Sequence, residues 1–198
     1  MRLRGELMAA AVGERTRGGM IAVLGVPAED VARLCDLIDE TIEIANYNAP
    51  QQTVLSGSEE GVAAAAEQAR ALGADVVQLK VTAPFHCSLM REIEEEFGAA
   101  LDQVSFSSPK IPMLANVTAD YVHSGDDAAS LLRRQLCAPV RWRETVDALV
   151  TAEVTALIEV GPGRVLTNIN RPAAPEVPAM AVGTARQLAT AVGRLTGR

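Results

Sequence analysis

His86 is the side chain in this sequence best suited to proton transfer. It is one of two histidines in 198 residues, and it follows an apolar run that ends at Pro84, just before a helical pattern begins. An imidazole exchanges protons near neutral pH without a large change in its pKa, so it can act as a general base. A histidine between a strand and a helix can also cap or pack, and position alone leaves these roles open.

The cysteines and the glycine-rich segment match no metal, redox or nucleotide-binding spacing. Cys35, Cys87 and Cys137 are far apart and form no Cys-X-X-Cys or Cys/His pattern, so the sequence predicts neither a disulfide framework nor a metal site. Unpaired thiols are typical of a reducing cytoplasm. Gly161-Pro162-Gly163 fits no phosphate-binding loop, and we interpret it as a tight turn between a strand and a helix.

The overall composition predicts a layered protein of the cytoplasm. Hydrophobic residues make up 48% of the chain but aromatic residues only 3%, so small aliphatic side chains must fill the core. The net charge of −7 argues against a surface that binds nucleic acid or an anionic membrane. No apolar run approaches the ~20 residues that span a bilayer, and no signal-peptide core follows the first residues.

The periodicity of apolar residues predicts two kinds of region. Between residues 16 and 81, short strands and helices follow the order β-α-β-β-α-β, which is typical of a ferredoxin-like subdomain. After His86 the apolar spacing predicts a helix over residues 89–104 and strands over residues 111–117 and 154–160. Strands that alternate with helices indicate an α/β fold with a mostly parallel sheet.

Five segments stand in the order and spacing of one enzyme family. They are Arg2-Leu3-Arg4-Gly5-Glu6-Leu7-Met8, Ala45-Asn46-Tyr47-Asn48-Ala49-Pro50, Ala83-Pro84-Phe85-His86-Cys87-Ser88-Leu89-Met90, Arg134-Gln135-Leu136-Cys137-Ala138-Pro139-Val140-Arg141-Trp142 and Glu159-Val160-Gly161-Pro162-Gly163. In these segments the chain resembles the malonyl-CoA:acyl carrier protein transacylases. The resemblance covers nearly the whole chain, and five motifs in register are far more specific than any one of them.

The resemblance implies a catalytic arrangement centred on His86. His86 matches the family's general base, and Gln135 matches the residue whose main-chain carbonyl orients that base. A seat at the start of a helix would disfavour the protonated imidazolium. Arg4 matches the arginine that holds the malonyl carboxylate through two parallel hydrogen bonds and so discriminates against neutral acetyl groups.

Three further residues match positions that line the family's site. Asn46 and Asn48 match asparagines contributed by the smaller subdomain, although both also suit a turn before Pro50. Phe85 stands where related polyketide acyltransferases distinguish malonyl from methylmalonyl groups. Its ring would fill the space of the methyl branch and favour malonyl, and one methyl group changes such a preference by ~1–3 kcal/mol.

The resemblance also implies the domain organisation and the partners. We expect an α/β-hydrolase-like acyltransferase core, residues 1–15 and 82–198, with the ferredoxin-like subdomain inserted at residues 16–81. Malonyl-CoA would be the substrate and acyl carrier protein the partner, with no further cofactor and a monomeric complete enzyme. Clustering makes four arginines candidates for a basic patch that meets the acidic carrier: Arg133, Arg134, Arg141 and Arg143.

The family's nucleophilic serine has no counterpart in this sequence. None of the eight serines has a glycine two residues before it and two residues after it, which is the frame of a nucleophile elbow. We therefore expect a truncated acyltransferase, the C-terminal two-thirds of the enzyme, that is poorly stable and inactive alone. Two alternatives stay open: an acyltransferase domain of a polyketide synthase, and a non-catalytic module that binds acyl carrier protein.

Overall fold

A four-stranded antiparallel sheet with two helices on one face forms the centre of the first part of the chain. The structure, a computed structural model, describes residues 2–10, 17–81 and 83–197. Helix α1 (Arg2–Ala10) precedes β1 (Gly18–Leu24), α2 (Ala28–Cys35), β2 (Ile42–Ala49), β3 (Gln52–Ser58), α3 (Glu59–Ala71) and β4 (Asp75–Gln78). The sheet order is β2-β3-β1-β4, and each neighbouring pair is antiparallel.

Alternating apolar residues bury both faces of this sheet. On β1, Ile21 and Val23 face α2 and α3 and pack into the main hydrophobic cluster, whereas Met20 and Ala22 belong to a second cluster on the opposite face. This alternation follows from the two-residue repeat of an extended strand. Helix α3 starts at Glu59 because the Ser58 hydroxyl accepts a hydrogen bond from Gly61 N at 3.0 Å.

The edge strand β2 carries a bulge that recruits a distant segment. The register shifts between Ile44 and Asn46, which leaves Ala45 without a partner on β3. The Ala45 carbonyl instead accepts a hydrogen bond from Val140 N at 2.8 Å, and Tyr47 N donates to Val140 O at 2.9 Å. The segment around Val140 therefore covers part of an edge that would otherwise expose unpaired backbone groups.

After β4 come a 3₁₀ segment (Ser88–Ile93), α4 (Glu94–Leu101), a short hairpin of β5 (Leu114–Ala115) and β6 (Asp120–Tyr121), α5 (Gly125–Arg134) and α6 (Trp142–Thr151). The 3₁₀ segment, α4 and the end of α5 build a second core with α1. Leu7 and Met8 of α1 pack with Met90, Phe97 and Leu136 in this core. The chain divides within α6 into two compact units, residues 1–145 and 146–198.

The second unit contains a pair of parallel strands and two helices. These are β7 (Leu157–Val160), α7 (Val165–Ala173), β8 (Ala179–Val182) and α8 (Ala185–Thr196). The predicted tight turn after β7 is confirmed, because Gly161 and Gly163 have φ angles of 143° and 96° that side-chain-bearing residues rarely adopt. The Glu159 carboxylate accepts hydrogen bonds from the backbone N–H groups of Leu166 and Thr167, at 3.1 and 2.8 Å, and so caps α7.

Three sequence predictions differ from the observed α/β fold. The helix predicted over residues 89–104 begins as the 3₁₀ segment, and α4 starts only at Glu94, where three consecutive acidic side chains favour a helix N-terminus. The strand predicted over residues 111–117 shrinks to two residues, since Pro112 cannot donate to a ladder. Among the described strands, only β7 and β8 pair in parallel.

Within the described ranges, no helix is long and apolar enough to cross a membrane.

Candidate active site

His86 lies in a turn between the four-stranded sheet and the 3₁₀ segment, with its ring held by a carbonyl. Its Nδ1 lies 2.9 Å from the main-chain oxygen of Gln135. A carbonyl oxygen can only accept a hydrogen bond, so Nδ1 carries the proton in this arrangement. The neutral ring then presents Nε2 with a free lone pair, which is the form that a general base requires.

Gln135 follows the last residue of α5 and closes the loop that presents this carbonyl. Its side-chain Nε2 donates to Ala138 O at 2.9 Å and to Pro139 O at 3.4 Å. Backbone and side chain of one residue therefore act together, because the amide fixes the loop while the carbonyl meets His86. The sequence indicated the carbonyl, but it gave no sign that the side chain fixes the loop.

Burial sets the proton affinity of His86. Desolvation is the largest influence and lowers the pKa of its imidazole below the usual 6.5, the hydrogen bond to Gln135 opposes it, and the charge of Arg4 lowers the pKa further. A position at a helix N-terminus would lower this pKa in the same direction, but His86 precedes the 3₁₀ segment, and burial is the main cause. Protonation in the unfolded chain would reduce stability as the pH falls below about 6.5.

Arg4 and His86 line the same cavity of about 580 Å³ within the first unit. The cavity is mostly apolar, and its wall comes largely from α5 and the β5–β6 hairpin. Its other lining residues are Phe106, Ser107, Pro109, Met113, Leu114, Ala115, Asn116, Val117, Val122, Ala128, Leu131, Leu132, Gln135 and Val140. A small acyl group with a charged end fits such a site, since apolar walls exclude water and a few polar groups fix orientation.

Arg4 is a half-buried cation in this cavity without a carboxylate partner. Burial lowers the pKa of its guanidinium, and no described carboxylate lies within ion-pair distance of it. On the same helix, by contrast, Arg2 is exposed and pairs with Glu6 at 3.0 Å. A partly desolvated guanidinium favours an anionic ligand, because a carboxylate can replace the hydration it has lost.

Three predicted site residues lie outside the cavity wall. Asn46 is half-buried on β2, and its backbone bridges to Val140, which does line the cavity. Asn48 is also half-buried, further along β2. The ring of Phe85 packs against the hydrophobic clusters on either side of it. The structure thus brings together His86, Gln135 and Arg4, and substrate contact by the other three stays a prediction.

The chain matches the protein-family model described as an acyl transferase domain over residues 1–195. The chain belongs to this acyl transferase family. The malonyl CoA-acyl carrier protein transacylase of Bacillus subtilis strain 168 is 38% identical over 175 residues, covering 85% of this chain and 54% of the relative. The transacylase of Haemophilus influenzae is 36% identical over 172 residues, with 85% and 55% coverage. The chain thus spans about half the length of these curated relatives.

Solved acyl transferases share the fold of this chain. An acyl-carrier-protein-S-malonyltransferase from Bartonella henselae superposes with a TM-score of 0.92 at 36% identity, covering 100% of this chain and 63% of that one. A malonyl-transacylase solved in complex with a type II polyketide synthase acyl-carrier protein has a TM-score of 0.92 at 35% identity, with 97% and 63% coverage. The α/β fold and the family are therefore established independently of the motifs.

The nucleophile of an acyl transferase is not evident among the described side chains near His86. Among the described residues, Ser107 is the only serine that lines the cavity, and no described hydrogen bond joins it to His86. The Ser88 hydroxyl donates to Glu43 instead. Burial raises the pKa of the Cys35 and Cys137 thiols to about 11, which leaves little thiolate at neutral pH.

No group of three potential ligands could hold a metal ion in the described parts of the chain.

Sequence reasoning missed the contact between Glu43 and Ser88 and the bridge at Val140. The contact between Glu43 and Ser88 had one sign in the sequence, because Glu43 is a lone carboxylate between two apolar strand residues, Ile42 and Ile44. No local signal predicted the second, because residues 46 and 140 meet only in the folded chain.

Proposed function

We propose that this chain supplies the general base and the carboxylate-binding arginine of a malonyl-CoA:acyl carrier protein transacylase. The observation that carries the proposal is the 2.9 Å contact between His86 Nδ1 and Gln135 O, at a cavity that also holds the unpaired Arg4. A base with a fixed tautomer and a cation for a small carboxylate are what malonyl transfer needs. The similarity to named malonyl transacylases agrees with it.

The first half-reaction uses a serine hydroxyl from outside these 198 residues, since no serine here has the elbow frame. His86 Nε2 takes the hydroxyl proton while the oxygen attacks the thioester carbonyl of malonyl-CoA. The carbon–sulfur bond then breaks, and the leaving thiolate takes the proton from the imidazolium. Arg4 holds the malonyl carboxylate in two parallel hydrogen bonds throughout, which fixes the acyl carbon near the base.

The second half-reaction reverses these proton movements with a different thiol. Nε2 takes the proton of the carrier's phosphopantetheine thiol, and the sulfur attacks the serine ester. The carbon–oxygen bond breaks, and the serine oxygen recovers its proton from His86. These steps balance with two thiols and one ester, without a further cofactor.

We propose that residues 16–81 form a ferredoxin-like subdomain. It would be inserted in an α/β-hydrolase-like core that contains residues 1–15 and 82–198. The element order β-α-β-β-α-β and the sheet order β2-β3-β1-β4 support the first assignment. The parallel pair β7–β8 with its flanking helices supports the second. The subdomain would then lend its edge strand β2 to the site, through Ala45 and Val140.

The acidic carrier protein is the proposed partner. The surface of this chain that would contact it differs from the one that the clustering of arginines in the sequence suggested. Two of the four candidate arginines are engaged, because Arg133 pairs with Asp102 at 3.0 Å and Arg141 pairs with Glu144. In the second unit, four arginines without an ion-pair partner among the described residues line a groove of about 490 Å³. They are Arg164, Arg171, Arg186 and Arg194. This groove suits an acidic partner better.

A non-catalytic carrier-binding module is the second candidate, favoured by the missing serine frame. Both candidates are tested by joining the chain to the N-terminal segment of the Bacillus subtilis transacylase that it does not cover. We expect this chimera to transfer radiolabelled malonyl groups to carrier protein. His86→Ala should reduce the transfer rate at least ~100-fold, whereas His123→Ala, at an exposed position, should not.

The two candidates predict different results in this assay. Carrier binding without transfer by the chimera would favour the non-catalytic module. Equal transfer by the His86→Ala and unmodified chimeras would refute the assignment of the base. With the 198-residue chain alone, intact mass after exposure to malonyl-CoA should show no adduct, and a stoichiometric ester on Ser107 would contradict the proposal.

A further inference from the structure

Glu43 contacts the His86 turn at Ser88, two residues after the histidine. Its Oε1 accepts a hydrogen bond from Ser88 N at 3.1 Å and a second, short one from the Ser88 hydroxyl. Glu43 lies on β2, 45 residues away in sequence, and is half-buried. No described cation forms an ion pair with Glu43. Among the described interactions, the hydrogen bonds to Ser88 therefore hold its carboxylate in place.

The His86 turn needs such support because its backbone is strained. His86 has a φ of 62°, in the left-handed region that residues with a side chain rarely adopt. Strained backbone of this kind persists only where neighbouring contacts fix it. The Gln135 carbonyl holds the ring, but the chain that follows His86 is held at Ser88 by Glu43.

Strand β2 contacts the two segments that carry the hydrogen-bonded pair His86 and Gln135. Through Glu43 it holds the turn that carries the imidazole. Through Ala45 O and Tyr47 N it holds Val140, which ends the loop closed by the Gln135 side chain. A rigid strand that contacts both partners fixes their separation, as positioning residues do in preorganised sites.

We propose that Glu43 is a positioning residue for His86, acting through Ser88 to hold the imidazole against the Gln135 carbonyl. Glu43 makes no described hydrogen bond to the imidazole, and it is not one of the described residues that line the cavity. The catalytic consequence rests on the proposed function, whereas the effect on the ring does not. Removing the carboxylate should let the turn relax and weaken the Nδ1–H hydrogen bond.

The first test is nuclear magnetic resonance of the full 198-residue chain, in which only two histidines need assignment. With Glu43→Ala, the downfield, slowly exchanging Nδ1 proton of His86 should vanish or exchange at least ~10-fold faster. Glu43→Gln, whose amide oxygen still accepts from Ser88, should restore most of the signal. Glu40→Ala, an exposed acidic position just before β2, is the matched control and should leave it unchanged.

The second test uses the same variants in the chimera with the Bacillus subtilis segment. Glu43→Ala should lower kcat about 10-fold and leave the KM for malonyl-CoA nearly unchanged, because Arg4 stays in place and only the base is misplaced. Ser88→Ala retains the backbone contact and should have a smaller effect on kcat, and it serves if Glu43→Ala folds poorly.

The outcomes separate this inference from the proposed function. An unchanged His86 signal and an unchanged kcat in Glu43→Ala, equal to those of Glu40→Ala, would overturn the role of Glu43. If the His86→Ala chimera keeps its activity, the proposed function fails, yet the dependence of the His86 resonance on Glu43 would still support the positioning role. A loss of malonyl-CoA binding in Glu43→Ala, with kcat intact, would also contradict it.

Discussion

The two units of this chain differ in how completely their sheets are covered. In the first unit, apolar residues are buried on both faces of the four-stranded sheet, as Val23 and Met20 show with exposures of 0% and 4%. In the second unit, the two-stranded sheet leaves Val160 83% exposed and Ile158 43% exposed. Large exposed apolar patches mark interaction surfaces. The sheet of the first unit is therefore packed on both faces, whereas the sheet of the second unit leaves apolar side chains uncovered.

The same contrast holds for charge. In the first unit, the half-buried Arg4 and His86 line one mostly apolar cavity, which suits a small substrate. In the second unit, four arginines line an open groove that suits a large acidic surface. Under the proposed function, the acyl group would bind in the first unit and the acidic carrier protein at the second. Two predictions test this division.

The largest effect should come from Arg4 in the chimera with the Bacillus subtilis segment. Arg4→Ala removes the partner of the malonyl carboxylate and should lower kcat/KM for malonyl-CoA about 100-fold, since losing one member of a partly buried charge pair is costly. Acetyl-CoA, which lacks the carboxylate, should lose far less. Arg2→Ala on the same helix is the control, and a comparable loss there would contradict the assignment.

A smaller effect should come from the second unit. In the same chimera, the double change Arg171→Glu and Arg194→Glu should raise the KM for carrier protein about 10-fold and leave the KM for malonyl-CoA unchanged. The effect should weaken at high salt, because exposed charges are screened. Arg70→Glu, an exposed change on α3, is the matched control. If malonyl-CoA kinetics change equally, the division between the two units is wrong.

Local chemistry explains which parts of the fold could be predicted from the sequence. The second helix of the predicted β-α-β-β-α-β order is observed as α3, because its Ser58 cap and its apolar repeat are encoded within a few residues. The strand predicted over residues 111–117 is mostly absent because Pro112 outweighs its apolar pattern. The expected β-α-β-β-α-β order is likewise present, since β1 and β3 are short apolar runs that are buried along most of their length.

The site could be predicted only where a motif carried it. His86, Gln135 and Arg4 were identified through resemblance, and the structure brings them together at one cavity. The contact between Glu43 and Ser88 depends on how a strand edge meets a turn 45 residues later, which no local pattern specifies. The low proton affinity of His86 was expected from a helix start, but its main cause is burial, which only the folded chain reveals.

The most direct test of the central claim is a pH titration of His86 in the 198-residue chain by nitrogen-15 and proton resonance. If the first unit alone organises the base, the neutral ring will carry its proton on Nδ1, and the pKa will lie below 6.5 because burial outweighs the hydrogen bond to Gln135. The imidazole will then be unprotonated at neutral pH. A proton on Nε2, or a pKa at or above 6.5, would contradict the account.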